Sequence, residues 1–197
     1  DKTVDVCGVG FVNSDDNLSS LWDHIVRAID VDNIDEMNLS DFENLTDQSL
    51  TKKSRKKSKQ PSKTSNPKGR MPQAMKDLIG LAGEIHAYRA LQKIYGKEVV
   101  GPNNWVSDNS LKKFPENKTN DGIGCDFVIQ KDKIKYHIEV KATQQENESF
   151  ELGSTEVELA VELAGRIKKQ FVILHVINAL SNEQQFRLLP NPYTMKY

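Results

Sequence analysis

Hydrophobic and polar residues follow two different spacings in the second half of the chain. Helical spacing from Pro72 to Tyr95 predicts one long helix, because proline is allowed in a first turn and Gly96 is a common stop. Residues 134–142 alternate polar and apolar side chains, which predicts a strand with one face in the core. Residues 171–177 are continuously apolar, which predicts a strand buried on both faces.

Shorter patterns fill the gaps between these elements and complete an α/β domain over residues 71–197. Turn-forming residues and short apolar runs set their expected limits. We expect an extended stretch at 99–106, a polar loop at 103–121, a strand at 125–130, a turn at 131–133 and a third strand at 150–152. The capping box Thr155-x-x-Glu158 predicts the start of a helix that runs to about 168, and a last strand is expected at 186–189.

Residues 1–50 form a segment with a different character. They carry twelve Asp and Glu against Lys2 and Arg27. A second helix is expected at 41–50. We interpret residues 1–50 as the tail of an upstream domain or as a small helical module. One apolar stripe at helical spacing predicts its main helix: Leu18, Leu21, Trp22, Ile25, Val26 and Ile29.

Residues 51–70 carry nine Lys and Arg, no acidic residue and no large apolar side chain. Such a segment cannot bury enough surface to offset the entropy of ordering, which predicts a flexible basic linker. It could be a solvated tether, an arm that binds phosphates, or a partner for the acidic segment beside it.

Composition narrows the class of protein. The longest apolar runs are too short to cross a membrane, and no export signal is present. The two cysteines, Cys7 and Cys125, lack the spacing of a zinc site or a disulfide framework. We therefore expect a cytoplasmic protein, and its start at Asp1 suggests a piece of something longer.

The candidate chemistry lies on the predicted hairpin. Glu139 and Lys141 project from one face of their strand, whereas the intervening side chains enter the core. Asp126 stands at the start of the preceding strand, so a short hairpin can place it beside Glu139. Two carboxylates this close repel each other, and a divalent cation commonly relieves the repulsion. The alternative is a salt bridge at the end of an ordinary sheet.

Glu84 is a third candidate, because it lies on or beside the apolar stripe of the long helix. A carboxylate there is costly unless it is paired or near a metal. Gly80 and Gly83 would let the helix approach the sheet closely. The alternative is a surface charge at the edge of the stripe.

Several residues near these positions could contact substrate. Lys112 and Lys113 lie in the polar loop and could meet phosphates, although a solvated loop is an equal alternative. Gln144 follows the catalytic strand closely. Trp105 could stack on a base, but a core position is favoured. Among the histidines, His175 is interpreted as a hydrogen-bonded core residue and His137 as a weaker candidate for contact with substrate or metal.

These segments together resemble the C-terminal domain of NO VEIN proteins (DUF3883-like), a branch of the PD-(D/E)XK nuclease superfamily. The resemblance covers about 72–192 and rests on Gly83-Glu84, DGIGCDF at 121–127, IEVKAT at 138–143, FELGSTE at 150–156, the strand at 171–178 and residues 188–192. It implies a restriction-endonuclease-like αβββαβ core with a mixed sheet. Cys125 stands where the superfamily's name has proline.

The resemblance also implies roles for single residues. Asp126 and Glu139 would hold Mg²⁺ or Mn²⁺, Lys141 would be the catalytic lysine, and Glu84 would complete the metal site. Glu156 matches a glutamate that this branch carries at the start of the following helix, where we expect a supporting role.

The expected function is that of a Mg²⁺-dependent deoxyribonuclease, the nuclease part of a larger anti-phage or restriction protein. Expected partners are DNA and upstream ATPase or helicase modules, with no membrane. A homodimer or partner subunit is expected where both strands are cut. One alternative is a non-catalytic nucleic-acid-binding or docking module, and RNA is an alternative substrate.

Overall fold

The computed structural model describes residues 3–12, 18–28, 73–145 and 149–194. The predicted helix at 41–50 and the predicted linker at 51–70 lie outside these ranges. Within residues 73–145, three short 3₁₀ turns precede the main sheet, at 102–104, 108–112 and 121–123. The helices and strands are β1 (Thr3–Val6), β2 (Val9–Val12), α1 (Leu18–Ala28), α2 (Gln73–Tyr95), β3 (Phe127–Lys131), β4 (Ile134–Ala142), α3 (Ser154–Leu163), β5 (Lys169–Ile177) and β6 (Gln185–Pro190).

The main sheet has four strands in the order β3-β4-β5-β6. Strands β3 and β4 form an antiparallel hairpin, β4 and β5 are parallel, and β5 and β6 are antiparallel. The parallel pair requires a crossover, which α3 supplies. The predicted mixed α/β fold and mixed sheet are confirmed.

The two faces of the sheet are covered by different helices. Ile138 on β4 and Leu174 on β5 belong to the larger core cluster, which lies under α2. Phe171 and Ile173 turn to the opposite face and pack with Ala160 of α3. Successive residues of β5 enter the two core clusters in turn, so the strand is buried on both faces, as its continuous apolar run predicts.

Helix α2 approaches β4 closely because Gly83 has no side chain. A Cβ atom at Gly83 would overlap the Cβ atom of Ala142. The helix ends at Tyr95, and Gly96 adopts a positive φ of 85° as the chain turns away. Both the predicted long helix and its stop are confirmed.

The N-terminal residues contribute a hairpin that was not predicted. Cys7 and Gly8 connect β1 to β2 with φ values of 51° and 81°, as a two-residue hairpin turn with two left-handed positions requires. The amide of Cys7 donates to the Leu180 carbonyl at 2.6 Å, and its thiol donates to the Ser181 carbonyl at 3.0 Å. The turn is thereby hydrogen-bonded to the loop after β5.

Helix α1 confirms the predicted helix as far as Ala28, and Ile29 of the predicted stripe lies outside the described residues. Leu21, Trp22 and Ile25 are buried in the same core cluster as α2 and the sheet. His24 contacts the Cys7 carbonyl at 2.8 Å through Nε2, which joins the helix to the hairpin. None of the described helices is both long and apolar enough to cross a membrane.

Three local predictions are wrong. Residues 99–106 form turns rather than a strand, apart from one isolated bridge between Trp105 and Phe127. Residues 150–152 form no strand, because Phe150 and Leu152 pack as loop side chains against the α3 cluster. From α2 onward the order is therefore αββαββ, with the fourth strand after α3, instead of αβββαβ.

The start and the end of α3 also differ from the prediction. The helix begins at Ser154 and ends at Leu163, not near 168. The Gly153 amide donates to Oε2 of Glu156 at 2.8 Å, so Glu156 rather than Glu158 supplies the capping carboxylate. Glycine at the N-cap hides this box from a search for serine or threonine.

The two glycines of α2 provide a matched test of the helix–sheet contact. Gly83→Ala is expected to lower the free energy of unfolding by about 1–3 kcal/mol, because its methyl group overlaps Ala142. Gly80→Ala meets nothing within 4 Å and is expected to raise it by up to about 1 kcal/mol. Urea denaturation measures both, and equal shifts would contradict the proposed close contact.

Candidate active site

The β3–β4 hairpin places Asp126 beside Glu139. Phe127 pairs with Ile138, so Asp126 stands one position beyond that pair, opposite Glu139. The Asp126 amide donates to the Ile138 carbonyl at 3.0 Å, and its carboxylate accepts from the Val140 amide at 2.7 Å. Two backbone contacts thus fix Asp126 against the strand that carries Glu139.

Lys141 bridges two carboxylates on different elements. Its Nζ lies 2.8 Å from Oε1 of Glu139 on β4 and 2.8 Å from Oε2 of Glu156 on α3. All three side chains are largely buried, with exposed side-chain fractions of 17% for Lys141, 6% for Glu139 and 19% for Glu156. The ion pairs are therefore shielded from water and tie the central strand to the first turn of α3.

Gly124 brings the start of α3 over the loop before Asp126. Its φ is 80°, and a Cβ atom there would overlap the carbonyl of Thr155. The glycine in this loop therefore permits the approach that puts Glu156 within reach of Lys141.

Glu84 comes from α2 and is only 7% exposed, which excludes the alternative of a surface charge. Its carboxylate accepts hydrogen bonds from the indole N–H of Trp105 at 2.7 Å, from the Ser107 hydroxyl and from the Asn109 amide at 2.6 Å. Neutral donors therefore hold this buried carboxylate in one orientation.

Burial and mutual repulsion perturb the carboxylates. Burial, with the charges of Glu84 and Glu139, raises the pKa of Asp126 well above its usual value. Burial also raises the pKa of Glu139 to about 8, with Lys141 opposing and Glu156 adding to the rise. Burial likewise raises the pKa of Glu84 against its three hydrogen bonds. Bringing a cation to this cluster would relieve the repulsion.

The pKa of Lys141 is raised as well, which for a lysine favours the charged form. Burial alone would lower the pKa of its ammonium group, but the carboxylates of Glu139 and Glu156 outweigh it and raise the pKa. Lys141 is therefore a cation at neutral pH and acts as a donor rather than a base.

The donor set at Asp126 and Glu139 fits a hard divalent cation. Mg²⁺ and similar ions accept one or two protein carboxylates and keep other positions for water or phosphate oxygens. Within the described ranges, no group of three or more His, Cys, Asp or Glu side chains is arranged to hold a metal. Both oxygens of Glu84 accept hydrogen bonds, from Trp105 and Ser107 on one side and from Asn109 on the other, and its expected part in a metal site stays a prediction.

The part of the chain that carries these side chains matches a known protein family. Residues 83–189 match the family described as Protein NO VEIN, C-terminal. The chain belongs to this family. No curated protein and no solved structure matches the chain.

The matched NO VEIN segment contains Lys141 and every acidic residue predicted for the site. It also contains Lys112 and Lys113 of the polar loop, which were predicted to contact phosphates. Lys112 is exposed, and Lys113 lies with its Nζ 4.9 Å from the ring centre of Trp22. Asn109, in the same 3₁₀ turn as Lys112, donates to Glu84. The two lysines therefore border the site. Gln144 is half-buried just beyond β4.

Three other candidates take different positions in the NO VEIN domain. Trp105 is fully buried, as favoured, and cannot stack on a base. His175 is buried with Nε2 2.8 Å from the Thr143 hydroxyl, which confirms a hydrogen-bonded core residue. His137 pairs with Phe171 across the sheet, and burial, with the charges of Lys135 and Lys169, lowers its pKa, so its contact with substrate or metal stays a prediction.

Sequence reasoning missed the residues that hold Glu84. Trp105, Ser107 and Asn109 follow one another at alternate positions in a stretch of short turns between α2 and β3. Their spacing of two places three donors along one side of the chain. Nothing in the sequence says that this side faces α2.

The raised pKa of Glu139 predicts a pH-dependent stability in metal-free buffer. Unfolded Glu139 ionises near pH 4.5, whereas the folded chain keeps it protonated up to about pH 8. The unfolded state thus binds fewer protons between these values, so the free energy of unfolding should fall as pH rises through that window. Denaturation with urea at pH 5 to 9 measures the slope.

Glu139→Gln is expected to flatten this dependence, because it removes the group that titrates. Glu158→Gln, an exposed position on α3, is the matched control and should keep the wild-type slope. A slope unchanged by Glu139→Gln would show that other groups cause it.

Proposed function

We propose that this NO VEIN domain is a metal-dependent endonuclease of the PD-(D/E)XK kind that hydrolyses DNA phosphodiester bonds. The observation that carries the proposal is the cluster of Asp126, Glu139 and Lys141 at the end of a β-hairpin. Strongly perturbed carboxylates around a buried lysine are more typical of functional sites than of structural ion pairs.

Each side chain has a role in this proposal. Asp126 and Glu139 would hold Mg²⁺ or Mn²⁺, which would supply a Lewis acid for the phosphoryl oxygen. Lys141, fixed by Glu139 and Glu156, would offset phosphate charge and orient the attacking water through its N–H groups. Glu84 would add negative charge behind Asp126, which couples to it electrostatically.

Cys125 does not serve as a nucleophile in this scheme. Its thiol is buried, and burial raises its pKa, with the charges of Asp126 and Glu139 adding to the rise. A thiol that is not ionised near neutral pH is a poor nucleophile.

The cellular setting is part of the proposal and rests on the family resemblance. We infer a cytoplasmic role in defence against foreign DNA, with upstream ATPase or helicase modules that select the target. Lys112 and Lys113 would contact phosphates beside the site, and Gln144 would lie near the scissile bond. Cutting both strands would need a homodimer or a partner subunit.

A non-catalytic nucleic-acid-binding module is the second candidate. It is favoured by the engagement of Lys141 with two carboxylates and by the hydrogen bonds that occupy Glu84. Such pairing would also stabilise a fold that binds without cutting.

Cleavage of supercoiled plasmid separates the two candidates. With Mg²⁺ or Mn²⁺, the full chain is expected to nick DNA, and Lys141→Ala is expected to lower the rate by at least about a hundredfold. Lys135→Ala is the matched control, because Lys135 lies on the same face of β4 and is exposed. Nicking at the wild-type rate by Lys141→Ala would contradict the role proposed for Lys141. Binding without cutting by the native chain would favour the second candidate.

The proposed metal site makes a separate prediction about stability. Saturating Mg²⁺, at about 100 times its dissociation constant, is expected to stabilise the wild-type chain by about 2.7 kcal/mol. Asp126→Asn should lose this stabilisation, because it removes one of the two carboxylates. Asp132→Asn, in the exposed β3–β4 turn, should keep it. An equal effect of Mg²⁺ on Asp126→Asn would place the ion elsewhere.

A further inference from the structure

A second polar cavity lies between α1 and α2, apart from the carboxylate cluster. Its volume is about 250 Å³, and it is lined by Val26, Arg89, Gln92, Lys93 and Lys97. Three of these five residues are cations, and none of the described lining residues is acidic. The cavity is therefore strongly positive, in contrast to the candidate active site.

The backbone holds these cations on one side. Arg89 and Lys93 are one helical turn apart on α2, so they share a face of the helix. Gly96 then ends the helix with a positive φ and turns the chain so that Lys97 joins them at the cavity. Like charges at this spacing destabilise a helix slightly, and a bound anion would relieve the repulsion.

Arg89 is oriented toward this cavity by its neighbours. Its Nη1 donates to Oε1 of Gln92 at 3.2 Å, and Gln92 is itself fixed by donating to the Tyr88 hydroxyl at 2.8 Å and the Val100 carbonyl at 2.9 Å. The Nε atom of Arg89 is buried and has no hydrogen-bond partner among the described residues. A buried donor without a partner is unfavourable, and an acceptor bound beside it would offset that cost.

No described acidic side chain neutralises the three cations. The ion pairs within the described ranges involve Lys141 and Arg166, and none involves Arg89, Lys93 or Lys97. The guanidinium group therefore keeps donors for an external ligand, and the two ammonium groups add charge around it.

We propose that this cavity binds a phosphate group. A phosphate offers several acceptor oxygens and a negative charge, which suit the fork of Arg89 and the point charges of Lys93 and Lys97. The group could belong to a nucleic-acid backbone or to a free phosphate or nucleotide. If the backbone is the source, the site rests on the proposed function and extends the DNA contact along α2, the helix that carries Glu84.

The test compares binding by two triple variants of the full chain, in EDTA so that no cutting occurs. One variant carries Arg89→Gln, Lys93→Gln and Lys97→Gln. The matched control carries Lys133→Gln, Lys135→Gln and Lys168→Gln, which remove the same charge from exposed positions. The probes are inorganic phosphate, a mononucleotide and a DNA duplex of about two helical turns.

The cavity variant is expected to bind a phosphate-bearing probe at least tenfold more weakly than the control variant. Loss of duplex binding alone identifies a nucleic-acid backbone as the source. In that case the slope of log K against log salt concentration should become less steep by about 0.9 for each phosphate contact removed. Loss of binding to inorganic phosphate or the mononucleotide identifies a free ligand. Equal affinities of both triple variants for all three probes would overturn the proposal.

Two further measurements keep the result independent of folding and of catalysis. In the wild-type chain, the bound probe should shift the backbone amide resonances of residues 89–97 more than those of residues 131–135. Shifts confined to 131–135 would overturn the proposal. Plasmid nicking by the wild-type chain with Mg²⁺ is measured separately from probe binding in EDTA, so failure of the nuclease proposal and failure of the phosphate site give different outcomes.

Discussion

The ion pairs of Lys141 are the interaction on which the site depends. Its ammonium group joins Glu139 on the central strand to Glu156 at the start of α3, at 2.8 Å from each. Removing one partner of such a buried pair is costly, because it leaves the other charge without compensation. The same contacts fix the lysine beside Asp126, so the stability of the helix–sheet junction and the geometry of the site have one origin.

A second set of contacts links the N-terminal residues to the acidic cluster. Trp22 of α1 stacks on Trp105 with ring centres 6.0 Å apart, and Trp105 donates to Glu84. Tyr88 stacks on Trp105 at 5.5 Å and also contacts Trp22, with ring centres 5.7 Å apart. The orientation of a buried carboxylate on α2 thus depends on packing against a helix far away in sequence.

Local patterns were sufficient to predict much of this structure. The alternation at 134–142 defines β4, and the short turn after β3 brings Asp126 opposite Glu139. The fold around Glu84 was not predictable, because hydrogen bonds from an irregular loop depend on tertiary contacts rather than on periodicity. The hairpin of β1 and β2 was missed for a similar reason. Its Cys7-Gly8 turn lacks the Asn or Asp that usually signals such turns.

The family match begins at Gly83, in the middle of α2, whereas the packed core begins much earlier. Val6, Trp22 and Leu78 all belong to the same apolar cluster as the sheet and precede the matched segment. The segment that matches the family is therefore shorter than the set of residues that forms the packed core. A chain cut back to the matched residues would lose Trp22 and leave the Tyr88–Trp105 surface uncovered, so the residues before Gly83 are needed to complete the interior.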